Sequence, residues 1–85
     1  MNYPEIKRRP DVLKRLKVSR TTLYAKIDEG VWPTPIQLGA RAVGWISSEN
    51  EQVIAAMIAG QSQEQIQQLV QELMKQRKEL FKGIA

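Results

Sequence analysis

Apolar residues in this chain fall into short stripes divided by clear stops, and the period of the stripes changes along the sequence. Val12, Leu13 and Leu16 cover about two helical turns after Pro10-Asp11. That dipeptide reads as a helix start, because proline is tolerated in a first turn and an acid suits the N-terminal dipole. Lys17-Val18 is too brief for more than a tight turn. Ser19 can then cap a second helix by accepting a first-turn N–H, and Gly30 can take the left-handed conformation that ends it. Between them Leu23 and Ile27, four residues apart with Tyr24 beside them, give one apolar face. Two short helices joined by such a turn form a helix-turn-helix. Val12, Leu13, Leu16, Val18, Leu23 and Ile27 are the core expected between them.

After Gly30 the helical period stops. Val31-Trp32-Pro33-Thr34-Pro35 cannot continue a helix, since each proline lacks a donor and biases its predecessor to extended geometry. Ile36-Gln37-Leu38 alternates as a half-buried strand does, Gly39-Ala40-Arg41 supplies a turn, and residues 42–46 return as a second strand. This hairpin reads as a wing with Arg41 near its tip; its plainer role would be to cover the core. Trp32 and Trp45 are expected to pack as core plugs.

Helical spacing then resumes. Ser48 and Glu51 fit a capping box ahead of Val53, Ile54, Met57 and Ile58, and Gly60 ends that helix. Ser62 and Gln65 repeat the box and open a longer segment to about Phe81. Its stripe either packs back on the domain or pairs with its twin in a second copy. A winged domain of fewer than 60 residues has its own core, so the added stripe favours a homodimer through Ile66, Leu69, Val70, Leu73 and Leu80. The expected fold is therefore mainly α with a small β-hairpin, a winged helix-turn-helix over residues 1–59. A C-terminal helix for packing or dimerisation follows over residues 60–85.

Composition narrows the chemistry. A chain of 85 residues makes one domain with a single modest core. It has no cysteine and no histidine, so disulfide frameworks, thiolate zinc sites and histidine-based catalysis are excluded, and no cofactor or metal is expected. No nucleophile–base pair suggests an enzyme. No apolar run approaches the roughly 20 residues that cross a bilayer, and no apolar stretch follows the N-terminal basic cluster as a signal peptide would require. A soluble intracellular protein is expected, with no membrane partner.

Charge is distributed unevenly. Residues 1–46 carry nine bases against four acids, whereas residues 47–85 carry four bases against five acids. The positive potential thus belongs to the half that holds the helix-turn-helix, and a nucleic acid is the polyanion that best fits it. On the second helix the positions away from the core are small, hydroxylated or basic, which suits the acceptor-rich floor of a DNA major groove. Arg20, Thr21, Thr22 and Ala25 are the expected base-reading residues. Arg20 could donate in bidentate fashion to a guanine or clamp a phosphate. Arg9, Lys17, Ser19, Tyr24, Lys26 and Arg41 are the expected phosphate anchors, with the Tyr24 ring alternatively at the edge of the core.

Three pieces of the sequence resemble the AlpA-like prophage regulatory proteins, small winged helix-turn-helix DNA-binders related to phage excisionases and to the MerR DNA-binding domain. They are Val18-Ser19-Arg20-Thr21-Thr22-Leu23-Tyr24, then Trp32-Pro33-Thr34-Pro35-Ile36-Gln37-Leu38-Gly39-Ala40-Arg41, then Gly44-Trp45 followed by Ser48-Glu49. The resemblance covers roughly residues 7–58. It implies sequence-specific binding of double-stranded DNA by the helix at residues 19–29, with the wing, from Gln37 to Val43, on the adjacent backbone or minor groove. It also implies a transcriptional or excision role on a mobile element, and a cytoplasmic, nucleoid-associated place in a bacterial host. Ala25 stands where the family often has arginine, and Ile46 and Asn50 replace what are usually a basic and an apolar residue. The segment after Gly60 lies outside the resemblance. A reading of another class is a protein-interaction module whose C-terminal helix docks on a recombinase or RNA polymerase.

Overall fold

A computed structural model describes residues 4–84 of the chain. In chain order the elements are strand β1 (Ile6–Arg8), helices α1 (Arg9–Leu16) and α2 (Arg20–Asp28), strands β2 (Ile36–Gly39) and β3 (Ala42–Ile46), and helices α3 (Ser47–Ile58) and α4 (Gln63–Ile84). The fold is mainly helical with a small antiparallel sheet, as a winged helix-turn-helix with a C-terminal helix requires.

The helix-turn-helix forms for the local reasons its sequence gives. Pro10 sits in the first turn of α1 with Asp11 beside it. The Ser19 hydroxyl accepts the Thr22 N–H at 3.2 Å and so caps α2. Gly30, at φ 79°, turns the chain out of it. The stop after α1 is less expected: Lys17, not a glycine, takes the left-handed conformation, at φ 58°. Its N–H and that of Val18 both return to the Leu13 carbonyl. These bonds compensate the clash of its Cβ with its own carbonyl.

The sheet has one strand more than the expected hairpin. Its order is β1-β3-β2, with Ile6 opposite Ile46, Lys7 opposite Trp45 and Arg8 opposite Gly44. A three-residue strand shows too little alternation to be read from sequence, yet without it the second edge of β3 would be left open. Gly44 lies where both neighbours close in. A Cβ there would stand 2.5 Å from Ile6 Cγ2 and 2.9 Å from Leu38 Cδ1. The stiff β-branched Ile6 cannot yield freely, so Gly44→Ala should lower the unfolding free energy by about 1–3 kcal/mol, with the urea m-value unchanged.

One core unites the elements. Val12, Leu23, Trp32, Trp45 and Val53 are buried together with Ile66, Val70 and Leu73 of α4. Both tryptophans are core plugs, and the Trp45 indole donates to the Pro33 carbonyl at 2.9 Å, fixing the loop ahead of β2. The expected pairing face of α4 is therefore corrected. Ile66, Val70 and Leu73 complete this chain's own core, Leu69 packs against it, and Leu80 alone of the five is exposed, so the stripe is not a free dimer surface. Burying each of those three side chains in the domain is worth about 1.5–3 kcal/mol.

Polar contacts seat α4 as well. Ser62 and Gln65 form the reciprocal capping box, Ser62 N–H to Gln65 Oε1 at 2.8 Å and Gln65 N–H to Ser62 Oγ at 3.2 Å. Gln67 donates to the Glu29 carbonyl at the end of α2, at 2.8 Å. Arg77 forms a two-pronged ion pair with Glu49, 3.0 and 2.7 Å, and donates to the Thr34 carbonyl at 2.9 Å. The box expected at Ser48 does not form. Helix α3 starts directly from β3 without a side-chain cap, because the Ser47 N–H already reaches the Glu5 carbonyl at 2.7 Å. Glu51 turns instead to Arg15, 2.7 Å away.

Candidate nucleic-acid interface

The face of α2 opposite Leu23 is open. Arg20, Thr21, Thr22 and Ala25 are all exposed, whereas Leu23 is fully buried and Ile27 packs against the core. All four expected base-reading residues are thus open to solvent on one helix. The Ser19 hydroxyl accepts from the Thr22 N–H and donates its proton to Thr22 Oγ1 at 3.0 Å. It is occupied by capping, so its part is to hold the first turn while the Thr22 hydroxyl keeps a proton to donate outward.

Of the expected anchors, Lys17 and Arg41 are exposed and Lys26, Arg9 and Tyr24 half-buried. Arg41 occupies the two-residue turn between β2 and β3. The Gln37 amide folds back to donate to the Gly39 carbonyl, where the β2–β3 ladder slips by one residue. Gln37 therefore shapes the wing turn. Two consecutive arginines link wing and helix: Arg9 donates to the Tyr24 hydroxyl of α2 at 3.1 Å, and Arg8 donates to the Val43 carbonyl of β3 at 3.1 Å. Arg8 was not among the anchors that the sequence suggested. Its signal was the Arg8-Arg9 doublet, which reads as a loose basic lead-in until β1 places it at the root of the wing.

Two of the nine bases of residues 1–46 are held by acids. In residues 1–46, Lys7 pairs with Glu5 at 2.6 Å and Arg15 with Glu51 at 2.7 Å. Hydrogen bonding to those carboxylates raises the Lys7 ammonium and the Arg15 guanidinium above their ordinary values, and the bond from Arg15 holds Glu51 below its own. The Arg15–Glu51 contribution to stability is present above the ordinary glutamate range and is lost as pH falls through the lowered value; both groups are about half exposed, which keeps it small. The other seven bases of that half, Arg8, Arg9, Lys14, Lys17, Arg20, Lys26 and Arg41, form no ion pair among the described residues. Lys17, just before α2, and Arg20 and Lys26 on it are among them, and unpaired cations along a donor-rich helix suit a phosphate backbone.

Lys17 carries a trade-off between stability and charge. Glycine relieves its left-handed backbone, so Lys17→Gly should raise the unfolding free energy by up to about 1 kcal/mol. The same change removes one cation, and duplex affinity should fall with a salt dependence shallower by about 0.9. Urea denaturation and a salt titration on one preparation check both signs.

No helix among the described residues is long and apolar enough to cross a membrane. Residues 5–58 match the family model described as Prophage CP4-57 regulatory protein (AlpA). The chain is also 37% identical over 51 residues to an uncharacterized protein, ORF88, of Enterobacteria phage P4. That match covers 60% of this chain and 58% of the phage protein, so the chain spans a little over half the length of this relative. No solved structure matches it.

Proposed function

Because the chain belongs to the AlpA family of prophage regulatory proteins, we propose that it regulates a prophage or mobile element by binding duplex DNA in a sequence-specific manner. Its outcome is transcriptional control or, at an attachment site, direction of excision. The observation that carries this is the open face of α2: Arg20, Thr21, Thr22 and Ala25 point away from the core on a helix flanked by cations that no acid neutralises among the described residues. Helix α2 would enter the major groove, with Arg20 reading a guanine and Ala25 meeting a thymine methyl. Arg9, Lys17, Lys26 and Arg41 would hold phosphates and fix register without reading sequence. A regulator of this kind acts at the nucleoid, and a recombinase or RNA polymerase is the protein it would meet beside its site.

Selection from a pool of random duplexes tests the reading. The wild-type chain should enrich one motif, and Arg20→Ala should relax preference at one base pair by about 1–3 kcal/mol while leaving the rest of the motif intact. A pool that emerges without a motif, or an Arg20→Ala variant that selects the same motif with equal stringency, overturns it.

A further inference from the structure

Tyr24 touches two of the uncompensated arginines with two different parts of its side chain. Its hydroxyl accepts a hydrogen bond from Arg9 of α1 at 3.1 Å. Its ring lies under Arg20, one turn earlier on α2, with the guanidinium carbon 5.9 Å from the ring centroid. Neither arginine forms an ion pair among the described residues, so the tyrosine is the contact that restrains each of them. A guanidinium held over a ring is restrained through its face, and its N–H edges stay free to donate. Long side chains otherwise lose rotamer freedom when they bind, and a group already held in place loses less.

We infer that Tyr24 is a positioning residue that presets both arginines for DNA, its ring aiming Arg20 and its hydroxyl fixing Arg9 of α1 beside α2. This rests on the DNA-binding reading given above. The two halves of the side chain then serve different ends. The ring serves base discrimination, because Arg20 is the reading residue. The hydroxyl serves affinity for any duplex, because Arg9 meets phosphate. The sequence alone left Tyr24 between a phosphate contact and the core edge; the geometry gives it a task distinct from both.

Tyr24→Phe and Tyr24→Leu separate the two tasks, once thermal unfolding shows both variants folded. Tyr24→Phe keeps the ring and should weaken binding to all duplexes alike by about 2- to 5-fold, with discrimination at the Arg20 base pair unchanged. Tyr24→Leu should show that loss and also relax discrimination at that base pair by about 2- to 5-fold. In an Arg20→Ala background, Tyr24→Leu should cause no further loss of discrimination, since the residue it aims is gone. A general structural role would move affinity and discrimination together in both variants, and that result overturns the inference. So does Tyr24→Leu binding as the wild type does, or eroding discrimination equally with and without Arg20. A wild-type chain that selects no duplex overturns the DNA-binding reading itself. A wild type that selects, with variants that fail to split the two quantities, overturns only the role given to Tyr24.

Discussion

Replacing Arg77 with methionine should lower the unfolding free energy by about 3–5 kcal/mol, a large fraction of the stability available to a domain of this size. The Glu49 side chain is only 6% exposed, and Arg77 supplies both hydrogen bonds to its carboxylate. Without the guanidinium that carboxylate keeps its burial and loses its partner, which is the costly way to break an ion pair. The Thr34 carbonyl loses its Arg77 hydrogen bond in the same step, so the loop ahead of β2 loosens with the helix. The contact spans 28 residues of sequence and closes α4 against the start of α3. Urea denaturation of Arg77→Met, Glu49→Gln and the double variant measures it. The double variant should recover most of the loss, because neutral groups of similar volume replace the pair without leaving a buried charge. A double variant whose loss is the sum of the two single losses would show that packing alone, and not the uncompensated carboxylate, sets the effect.

Parts of this molecule were legible in the sequence because their causes are local. Ser19, Leu23, Ile27 and Gly30 each act within one or two turns, so the cap, buried face and stop of α2 follow from spacing. The hairpin around Arg41 and the second capping box at Ser62 were legible for the same reason. What escaped was decided at a distance. Strand β1 exists because β3 has an open edge, and three residues carry no period. The cap at Ser48 yielded to a carbonyl from Glu5, which only the sheet brings near. The α4 stripe has the spacing of a pairing helix, yet whether Ile66, Val70 and Leu73 face a twin or their own core depends on a groove that no local rule describes. On the proposed DNA face the outward positions of α2 were readable, since they are what the apolar face leaves over. The links from Arg9 to Tyr24 and from Arg8 to Val43 required the fold.

Duplex affinity should fall by about 150-fold between 50 and 200 mM salt, the consequence of four phosphate contacts at a log–log slope of about −0.9 each. Arg9, Lys17, Lys26 and Arg41 are the four, and none has an acid partner among the described residues to weaken its pull on DNA. The slope can be taken apart by element. Lys26→Ala, on α2, and Arg41→Ala, on the wing turn, should each weaken all duplexes alike and make the slope shallower by about 0.9. Lys75→Ala and Lys78→Ala alter exposed lysines of α4 and should leave it unchanged. The decisive case is the Lys26→Ala, Arg41→Ala double variant. If helix and wing lie on one duplex, the two losses add, to about 1.8. If the wing points elsewhere, Arg41→Ala changes nothing and the double variant equals Lys26→Ala. A common duplex is what the arginine doublet at the wing root would favour, since Arg8 and Arg9 tie β3 and α2 to adjacent residues of the chain and restrict how far the two can diverge.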